Sequence, residues 1–302
     1  MNTWDPDDRS RSGFAALHPA VQCLFFASVI SVTLGMDPLL LALSGLAAAG
    51  LIIRQQGIRK FGASLRLFLP TGLLMMLLNP LVSHNGVTIL WYFPDGAPLT
   101  MESIVFGAAA AGMMLTLFGW FSCLQRVLTS DRIIYLIGQA APRTALLISM
   151  ILRLTGSCRH QWKAINAARY GLAPPGGSAV HRLHSTVTML STLIGWLLEH
   201  SLDTADAMKS RGFGAARRRA YSPFRFRAQD GRVCLLVAGS DAALIGARLF
   251  HVLDHGYYPV FYSAPAAPLR AGAVLLFGLL VFLPLLIEGK EALRWQFLKS
   301  KI

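Results

Sequence analysis

The chain has 302 residues, of which 54% are hydrophobic and only 14% are charged, and its mean hydropathy is +0.50. This composition excludes a disordered chain, which requires low hydrophobicity and high charge density. It also argues against an ordinary soluble domain, in which about a quarter of the residues are charged. The net charge of +13 would favour nucleic-acid binding in a polar chain. In so apolar a chain it favours a polytopic membrane protein, because cytoplasmic loops collect Lys and Arg.

The first eight residues, MNTWDPDD, are polar and acidic. A cleaved signal peptide begins with basic residues and soon becomes apolar, so we expect the N-terminus to be retained, on the cytoplasmic side. The four cysteines are far apart and form no CxxC pair. Their spacing predicts neither a zinc site nor a disulfide framework.

Two long stretches without Lys or Arg predict two membrane hairpins. They cover residues 12–53 and 67–125, and because a spanning helix needs about 20 apolar residues, each stretch has room for two spans and an outer connection. The predicted spans are residues 20–35, 38–53, 66–82 and 103–124. Basic residues lie between and after the hairpins, on the side that the positive-inside rule makes cytoplasmic; they are Arg54, Arg59, Lys60, Arg66, Arg126 and Arg132.

A third hairpin is predicted at residues 233–250 and 271–287, which gives six spans with both termini cytoplasmic. Arg248 and Arg270 would flank its outer loop, which departs from the positive-inside rule. Asp241 would lie within the first of these spans, where an ionisable side chain is costly and marks a function by default. A structural role, facing the bundle or pairing with Arg248, is an equally good interpretation.

The middle of the chain, residues 126–232, holds sixteen of the 28 basic residues. The sequence PPGG at 174–177 divides it into two arms. Apolar residues of the second arm recur at intervals of three and four, as on one face of a helix; they are Val180, Leu183, Val187, Leu190, Ile194 and Leu197. We predict two or three long amphipathic helices at the cytoplasmic face. The predicted domains are thus residues 1–125 with four spans, residues 126–232, and residues 233–302 with the last hairpin and a tail.

Each arm ends in small residues, an arginine and a glycine. The first carries Ala168, Arg169, Tyr170 and Gly171, and the second carries Ser210, Arg211 and Gly212. Gly at a helix C-terminus supplies a left-handed cap, and a cation in the last turn is favoured by the helix dipole, so both arginines could be ordinary end charges. Alternatively, the small neighbours leave each guanidinium free to pair with carboxylates of a partner. The repetition of the feature favours this second interpretation.

Three parts of the sequence resemble the T component of energy-coupling factor transporters, the family that includes the cobalt transporter's CbiQ protein. The resemblance covers roughly residues 14–290. The first part is the family's outer segment, with Asn79-Pro80-Leu81, Ser83-His84-Asn85-Gly86, Leu99-Thr100-Met101-Glu102-Ser103 and Gly107. The second part is the entry into the coupling domain, with Leu128-Thr129-Ser130-Asp131, Leu136, Pro142 and Leu152-Arg153. The third part is the two arginine motifs. The family pattern is Ala-Arg-Gly at the ends of two coupling helices, and the first motif departs from it at Tyr170.

The resemblance implies an all-α polytopic membrane protein of about six transmembrane helices plus a cytoplasmic coupling domain, in the plasma membrane of a prokaryote. The chain would couple two ABC-type ATPases to a small substrate-binding membrane subunit, the S component, for uptake of a vitamin or a metal ion. The residues that would meet the ATPases are Arg169 and Arg211 with Ala168, Tyr170, Ser210 and Gly212. Those that would contact the S component are Leu183, Val187, Leu190, Ile194 and Leu197.

The same resemblance implies that the chain is not an enzyme and holds no metal or cofactor, since ATP and Mg would be bound by the partner ATPases. The sequence itself has no GxxxxGK[ST] phosphate loop, so ATP hydrolysis would come from another chain. The cargo would be chosen by the S component.

Two other classes of function have some support. A membrane-embedded metal-dependent enzyme is indicated by His251 and His255, whose i, i+4 spacing with Asp254 nearby is used by metal sites. However, no Glu follows the first His, and polar residues at a membrane interface are the preferred interpretation. A self-contained secondary transporter requires polar residues that converge at mid-membrane, and the first four spans have almost none beyond Asn79.

A basic cluster comprises Arg217, Arg218, Arg219, Arg225, Arg227 and Arg232. Basic runs beside a membrane usually meet anionic lipid headgroups, so we favour this interpretation over nucleic acid. Contact with an acidic ATPase surface is an open alternative.

Overall fold

Nine α-helices and four short β-strands are formed by the part of the chain that the computed structural model describes. The described residues are Phe14, 16–35, 37–83, 86–92, 98–172, 179–214, 224–253, 255–257, 262–263 and 268–299. The helices are α1 (Pro19–Thr33), α2 (Pro38–Gln56), α3 (Ile58–Val82), α4 (Met101–Val127), α5 (Ser130–Ala140), α6 (Pro142–Leu172), α7 (Ala179–Ser210), α8 (Ala228–Leu249) and α9 (Pro268–Lys299). The strands are β1 (Ile89–Tyr92), β2 (Pro98–Thr100), β3 (His255–Gly256) and β4 (Tyr262–Ser263).

The chain divides into two compact units. The first unit is Met1–Thr129 together with Phe224–Ile302, and the second unit is Ser130–Pro223. The second unit lies within the segment 126–232 that the sequence sets apart, and its helices are α5, α6 and α7.

Each of the six predicted spans coincides with a helix of the first unit, and four of these helices are long and apolar enough to cross a membrane. These four are α2, α3, α4 and the Pro268–Lys290 part of α9. Helix α1 is apolar but has 15 residues, a length of about 22 Å, which is shorter than a hydrocarbon core of about 30 Å. Helix α8 has 22 residues, but Asp241 interrupts its apolar sequence. The fold is therefore helical and fits a membrane-embedded protein.

Helix α3 begins earlier than the predicted third span, at Ile58 rather than at residue 66. Gly57 alone separates α2 from α3, and its φ is 82°. Glycine adopts this left-handed conformation without a steric penalty, so the chain reverses over one residue. As a consequence, Arg59, Lys60 and Arg66 lie on the first turns of α3 and not in a loop.

The outer loops predicted for the second and third membrane hairpins each contain a short antiparallel β-hairpin, which the sequence does not predict. In the first, β1 pairs with β2, with Ile89 opposite Thr100 and Tyr92 opposite Pro98. In the second, β3 pairs with β4, with His255 opposite Ser263. Hairpins of this kind satisfy backbone polar groups where the chain leaves a helix.

An aromatic cluster forms the centre of the first unit. The rings of Phe14, Phe25, Phe26 and Trp120 meet edge to face, with adjacent centroids 5.2 to 6.1 Å apart, a geometry that aromatic pairs favour. All four side chains are buried. The cluster joins α1 to α4, while α2 and α8 pack on these helices and α9 packs on α2 and α8.

Gly107 sets the distance between α3 and α4. A Cβ atom at this position would lie 2.9 Å from the carbonyl oxygen of Met76 and 3.2 Å from Cβ of Asn79, both on α3. Gly112 lies on the same helix, and a Cβ atom there would meet no atom within 4 Å. The two glycines therefore form a matched pair for a test of the α3–α4 contact.

We expect Gly107→Ala to lower the thermal unfolding midpoint of the detergent-solubilised protein, because the added methyl group meets the backbone of α3. Overpacking of this kind costs about 1–3 kcal/mol. Gly112→Ala should leave the midpoint unchanged or raise it, since Ala is the better helix former. Equal midpoints for the two variants would contradict the close approach of the helices.

Candidate coupling site

The second unit has a very small apolar core. Helix α5 packs on α6, and α6 packs on α7. Helix α6 has 31 residues and α7 has 32. Among the described residues of this unit, the buried apolar side chains are those of Ala145 and Met189. Long helices are stabilised mainly by burying an apolar face. So little burial is typical of helices that complete their packing against another molecule.

Arg169, in the last turn of α6, is held by α7. Its side chain is half-buried, and its Nη1 group donates a hydrogen bond to the carbonyl oxygen of Ser185. The neighbouring Ala168 and Tyr170 are exposed. The guanidinium therefore links the end of one long helix to the first turns of the next.

Arg211 follows the last residue of α7 and is exposed. The N–H of Gly212 donates to the carbonyl of Lys209 at 2.9 Å, and the N–H of Phe213 donates to the carbonyl of Met208 at 3.1 Å. With a φ of 77° at Gly212, these two bonds form a Schellman motif. The left-handed glycine cap predicted for the second motif is confirmed, and it holds Arg211 at a fixed helix end, next to the exposed Ser210.

The first arginine motif has no such cap. Helix α6 continues through Gly171 to Leu172, and Gly171 is not among the described glycines with a positive φ. The prediction of a left-handed cap at Gly171 is therefore wrong. Arg169 lies inside a helical turn, whereas Arg211 lies at a capped end, so the two arginines have different surroundings.

The apolar stripe predicted on α7 is largely exposed. The exposed fractions are 67% for Leu183, 56% for Val187 and 48% for both Leu190 and Ile194, while Leu197 is half-buried. Contiguous exposed apolar surface of this kind usually marks a site that binds another protein or a membrane.

Polar side chains of the segment from Asn79 to Ser103 form a hydrogen-bond network, here called the Glu102 network, between the end of α3 and the start of α4. Asn79 Nδ2 donates to the Ser103 carbonyl at 2.8 Å, and Ser103 Oγ donates to the Ser83 carbonyl at 2.7 Å. The buried Glu102 carboxylate accepts the Thr88 N–H at 3.1 Å and the Thr88 hydroxyl at 2.7 Å. The residues that carry this part of the family resemblance thus join two helices and anchor β1.

Several polar contacts between the helices of the first unit are not predicted by the sequence. Trp120 Nε1 donates to Ser44 Oγ at 2.9 Å, and the Ser44 and Thr33 hydroxyls are 3.0 Å apart. Ser28 Oγ donates to the Asp241 carboxylate. Each contact joins two helices, so these groups satisfy one another. The signal that could have found them is hydroxyl residues within apolar runs, because such residues form interhelical hydrogen bonds in membranes.

Arg248 does not form the predicted pair with Asp241. Its Nη2 group donates to the Val32 carbonyl at 3.1 Å, at the end of α1, and its guanidinium occupies the space that a side chain at Gly35 would need. At the other end of α1, the His18 N–H donates to Asp230 of α8 at 3.0 Å. Helices α1 and α8 are therefore hydrogen-bonded at both ends.

Arg270, which departs from the positive-inside rule, lies beside a carboxylate. Its Nη2 atom is 3.5 Å from Oδ2 of Asp37, and both side chains are buried. Asp37 also accepts the Leu39 N–H at 3.0 Å, which caps α2. Burial raises the pKa of the Tyr257 phenol above its ordinary value, and the Asp37 carboxylate adds to this rise.

The opposite end of α2 carries a second set of ionic contacts. Arg54 Nε lies 3.3 Å from the buried Glu288 carboxylate of α9, and Gln55 Nε2 donates to the same carboxylate at 3.2 Å. Arg126 Nη1, at the end of α4, donates to the Gln55 carbonyl at 2.6 Å. Three helices therefore meet at this basic end.

The two histidines of the metal-site hypothesis do not share a helix face. Helix α8 ends at Leu249, His251 has a φ of 56°, and His255 belongs to β3. Asp254 lies outside the described residues. Within the part of the chain that the structure describes, no three His, Cys, Asp or Glu side chains are grouped so that they could hold a metal ion.

Some predicted features lie outside the described residues. They are His84 and Asn85 of the outer segment, the PPGG sequence at 174–177, and Arg217, Arg218 and Arg219 of the basic cluster. The other members of that cluster, Arg225, Arg227 and Arg232, are exposed at the start of α8.

Protein-family models and curated proteins were both compared with the chain, and none of them matches it. The resemblance to the T component therefore depends on the quoted residues and their order along the chain.

We expect Gly212→Ala to destabilise the end of α7, because an L side chain is strained at a positive φ. The cost is about 1 kcal/mol. Gly171→Ala is the matched change at the other motif, where the backbone is helical, and it should stabilise the end of α6. Hydrogen exchange of residues 205–213 should accelerate in the first variant only. Equal exchange rates in the two variants would contradict the different capping of the two helices.

Proposed function

We propose that the chain is the T component of an energy-coupling factor importer. In this role it passes the ATP-driven closure of two ABC-type ATPases to a small membrane S component that carries a vitamin or a metal ion. The observation that carries the proposal is the second unit, which combines long helices, little buried apolar surface and an arginine near the end of each long helix. The chain would be a non-catalytic subunit, and ATP and Mg would belong to the ATPases.

The charge of the second unit supports a partner with an acidic surface. From Ser130 to Pro223 the sequence has twelve Lys and Arg against four Asp and Glu. The described basic side chains of α6 other than Arg169 are exposed; they are Arg143, Arg153, Arg159 and Lys163. Complementary potentials of this kind increase the rate of association and select the partner.

The two arginines are suited to different tasks at such an interface. Arg211 is exposed at a capped helix end, where a guanidinium can pair with a carboxylate through two hydrogen bonds. Arg169 contacts Ser185 through one N–H group, and a guanidinium has five N–H donors. Arg169 can therefore bind a partner carboxylate while it connects α6 to α7, so that displacement of one helix would be transmitted to the other.

The exposed stripe on α7 is the surface that we assign to the S component. Its side chains are aliphatic and uncharged over four helical turns, from Leu183 to Leu197. An apolar helix face that packs on another apolar helix requires no paired charges, so such a contact can slide and re-form as the ATPases open and close.

The contacts of the first unit support six membrane-crossing helices with both termini on the cytoplasmic side. Arg54 and Arg126 lie together at one end of the bundle, as the positive-inside rule requires. Helices α1 and α8 are bonded to each other at both ends, so we propose that they cross together although α1 is short. The location would be the plasma membrane of a prokaryote.

We expect replacement of both Arg169 and Arg211 by Ala to release the ATPases during co-purification from cells that express the complete transporter. Loss of one partner of a buried charge pair costs about 2–5 kcal/mol, so each single change should weaken the complex at least tenfold. Arg159→Ala is the matched control, because it removes one exposed charge of α6 away from the helix end. Loss of such a charge acts mainly on the association rate, so this variant should retain the ATPases. Normal assembly and uptake in the double variant would contradict the proposed role of the two arginines.

We expect Leu190→Glu to prevent co-purification of the small membrane subunit while the ATPases remain bound. The carboxylate on the stripe would lose its water when the subunit binds, and burial of an unpaired charge is costly. Thr192→Glu changes an exposed residue away from the stripe on the same helix and should have no such effect. Retention of the small subunit by the Leu190→Glu variant would exclude the stripe as its binding surface.

A further inference from the structure

Helices α2, α3 and α4 enclose an apolar groove, here called the α2–α3–α4 groove, with a volume of about 150 Å³. Its floor is formed by Ala48, Ile52 and Thr116, which are buried, whereas Leu65 on its rim is 42% exposed. A groove with a buried floor and an exposed rim is open to whatever surrounds these helices. Because all three are of spanning length and apolar, a bilayer would supply that surrounding.

The lining of the groove suits a hydrocarbon chain. The rings of Phe68 and Phe118 stack at its wall, with their centroids 4.4 Å apart. The Thr116 hydroxyl in the floor donates to the Gly112 carbonyl of its own helix at 2.8 Å, so its hydrogen-bonding potential is satisfied without a ligand. From Phe61 to Phe68 the groove follows α3 for about 10 Å. Such a site selects by shape and apolar contact.

One end of the groove carries two cations. Ser122 lines the groove and accepts a hydrogen bond from Gln56 Nε2 at 3.2 Å. Arg126 follows Ser122 by one turn on the same face of α4, and its Nη1 group donates to the backbone at the end of α2. On α3, Ser64 lines the groove, and Lys60 lies one helical turn before it. A cation therefore lies beyond the groove on each of the two facing helices.

These two cations have charge left to neutralise. Arg126 and Lys60 are exposed, and within the described part of the chain neither pairs with a carboxylate. Arg54, at the same end of the helices, is different because it pairs with Glu288 at 3.3 Å. An anion placed at the mouth of the groove would thus meet Arg126 and Lys60.

We propose that the α2–α3–α4 groove binds one anionic glycerophospholipid from the bilayer. An acyl chain lies against Phe68 and Phe118, and the headgroup phosphate lies between Arg126 and Lys60. The arrangement agrees with the membrane topology, since the apolar groove falls at hydrocarbon depth and the cations fall at the interface where anionic headgroups are found. This site belongs to the first unit and is independent of the proposed coupling function.

The test uses the full-length protein in nanodiscs of phosphatidylcholine that contain a small fraction of phosphatidylglycerol. Both lipids have the same acyl chains, and the phosphatidylglycerol carries a photoreactive diazirine on one of them. Cross-linked peptides are identified by mass spectrometry, and lipid retention is measured by native mass spectrometry. We expect cross-links concentrated in residues 61–68 and 115–122 and at least a tenfold preference for phosphatidylglycerol over an identically labelled phosphatidylcholine.

Two pairs of variants separate the headgroup contact from the acyl-chain contact. Lys60→Gln should lower phosphatidylglycerol retention about fivefold, the effect of one interfacial charge, whereas Arg66→Gln, an exposed cation elsewhere on α3, should not. Ser64→Leu fills the groove and should abolish the cross-links. Its neighbour Ala63→Leu, which is exposed and outside the groove lining, should leave them unchanged.

Three results would overturn the proposal. One is equal labelling by the two lipids. Another is labelling spread evenly along the exposed face of α3, from Leu65 to Leu81, which would show general bilayer contact. The third is a Ser64→Cys variant that forms a disulfide with another protein in native membranes, because the groove would then hold a protein helix. Folding of each variant is verified by its thermal unfolding midpoint, and Ala63→Leu shows the effect of added bulk alone.

Discussion

Trp120 is the side chain on which the assembly of the first unit depends. It is completely buried, its ring meets Phe25 and Phe26 of α1, and its indole N–H donates to Ser44 of α2. A buried indole N–H without an acceptor would be costly, so Ser44 and Trp120 specify each other's position. The register of α4 against α1 and α2 is therefore fixed. This register places the Glu102 network at one end of α4 and Arg126 at the other.

The two units are stabilised in different ways. In the first unit, apolar helices bury a shared aromatic core and are tied at their ends by polar contacts such as Arg54 with Glu288 and Arg270 with Asp37. In the second unit, Ala145 and Met189 are the buried apolar side chains among the described residues. A unit with so little core gains stability when partners bind its native state, and this is the property that a coupling element requires.

The sequence predicted the helices better than their ends. Two long stretches without Lys or Arg located four helices of the first unit, because charged groups are excluded from apolar segments by their desolvation cost. Helices α8 and α9 were located by two further apolar segments. The start of α3 does not follow from this pattern, because one glycine at φ 82° suffices for the turn and the basic residues that indicate a loop lie on the helix itself. At the candidate site, the cap at Gly212 was predictable from local chemistry. The absence of a cap at Gly171 was not, since α6 continues past it.

Tertiary contacts also changed the interpretation of individual polar residues. The sequence leaves three roles open for Asp241: a function, a structural charge that faces the bundle, or a pair with Arg248. Asp241 faces the bundle, where it accepts a hydrogen bond from Ser28 of α1, whereas Arg248 donates to a carbonyl at the end of α1. Such pairings join residues more than 200 positions apart in the chain. The spacing of residues along the sequence therefore does not predict them. Local patterns decide a cap or a turn, whereas interhelical partners depend on the packing.

The amino-acid sequence by itself determined that this is an apolar, helical chain with its basic residues concentrated in one middle segment, because the energetic cost of placing charge in hydrocarbon shapes the order of residues directly. It also determined which residues carry the arginine motifs and the apolar stripe. Only the tertiary structure decided that Arg169 is held by α7 while Arg211 is exposed, that the stripe remains open, and that a groove lies beside Arg126 and Lys60. These features depend on which helices pack together, and packing is set by shape complementarity between distant parts of the chain.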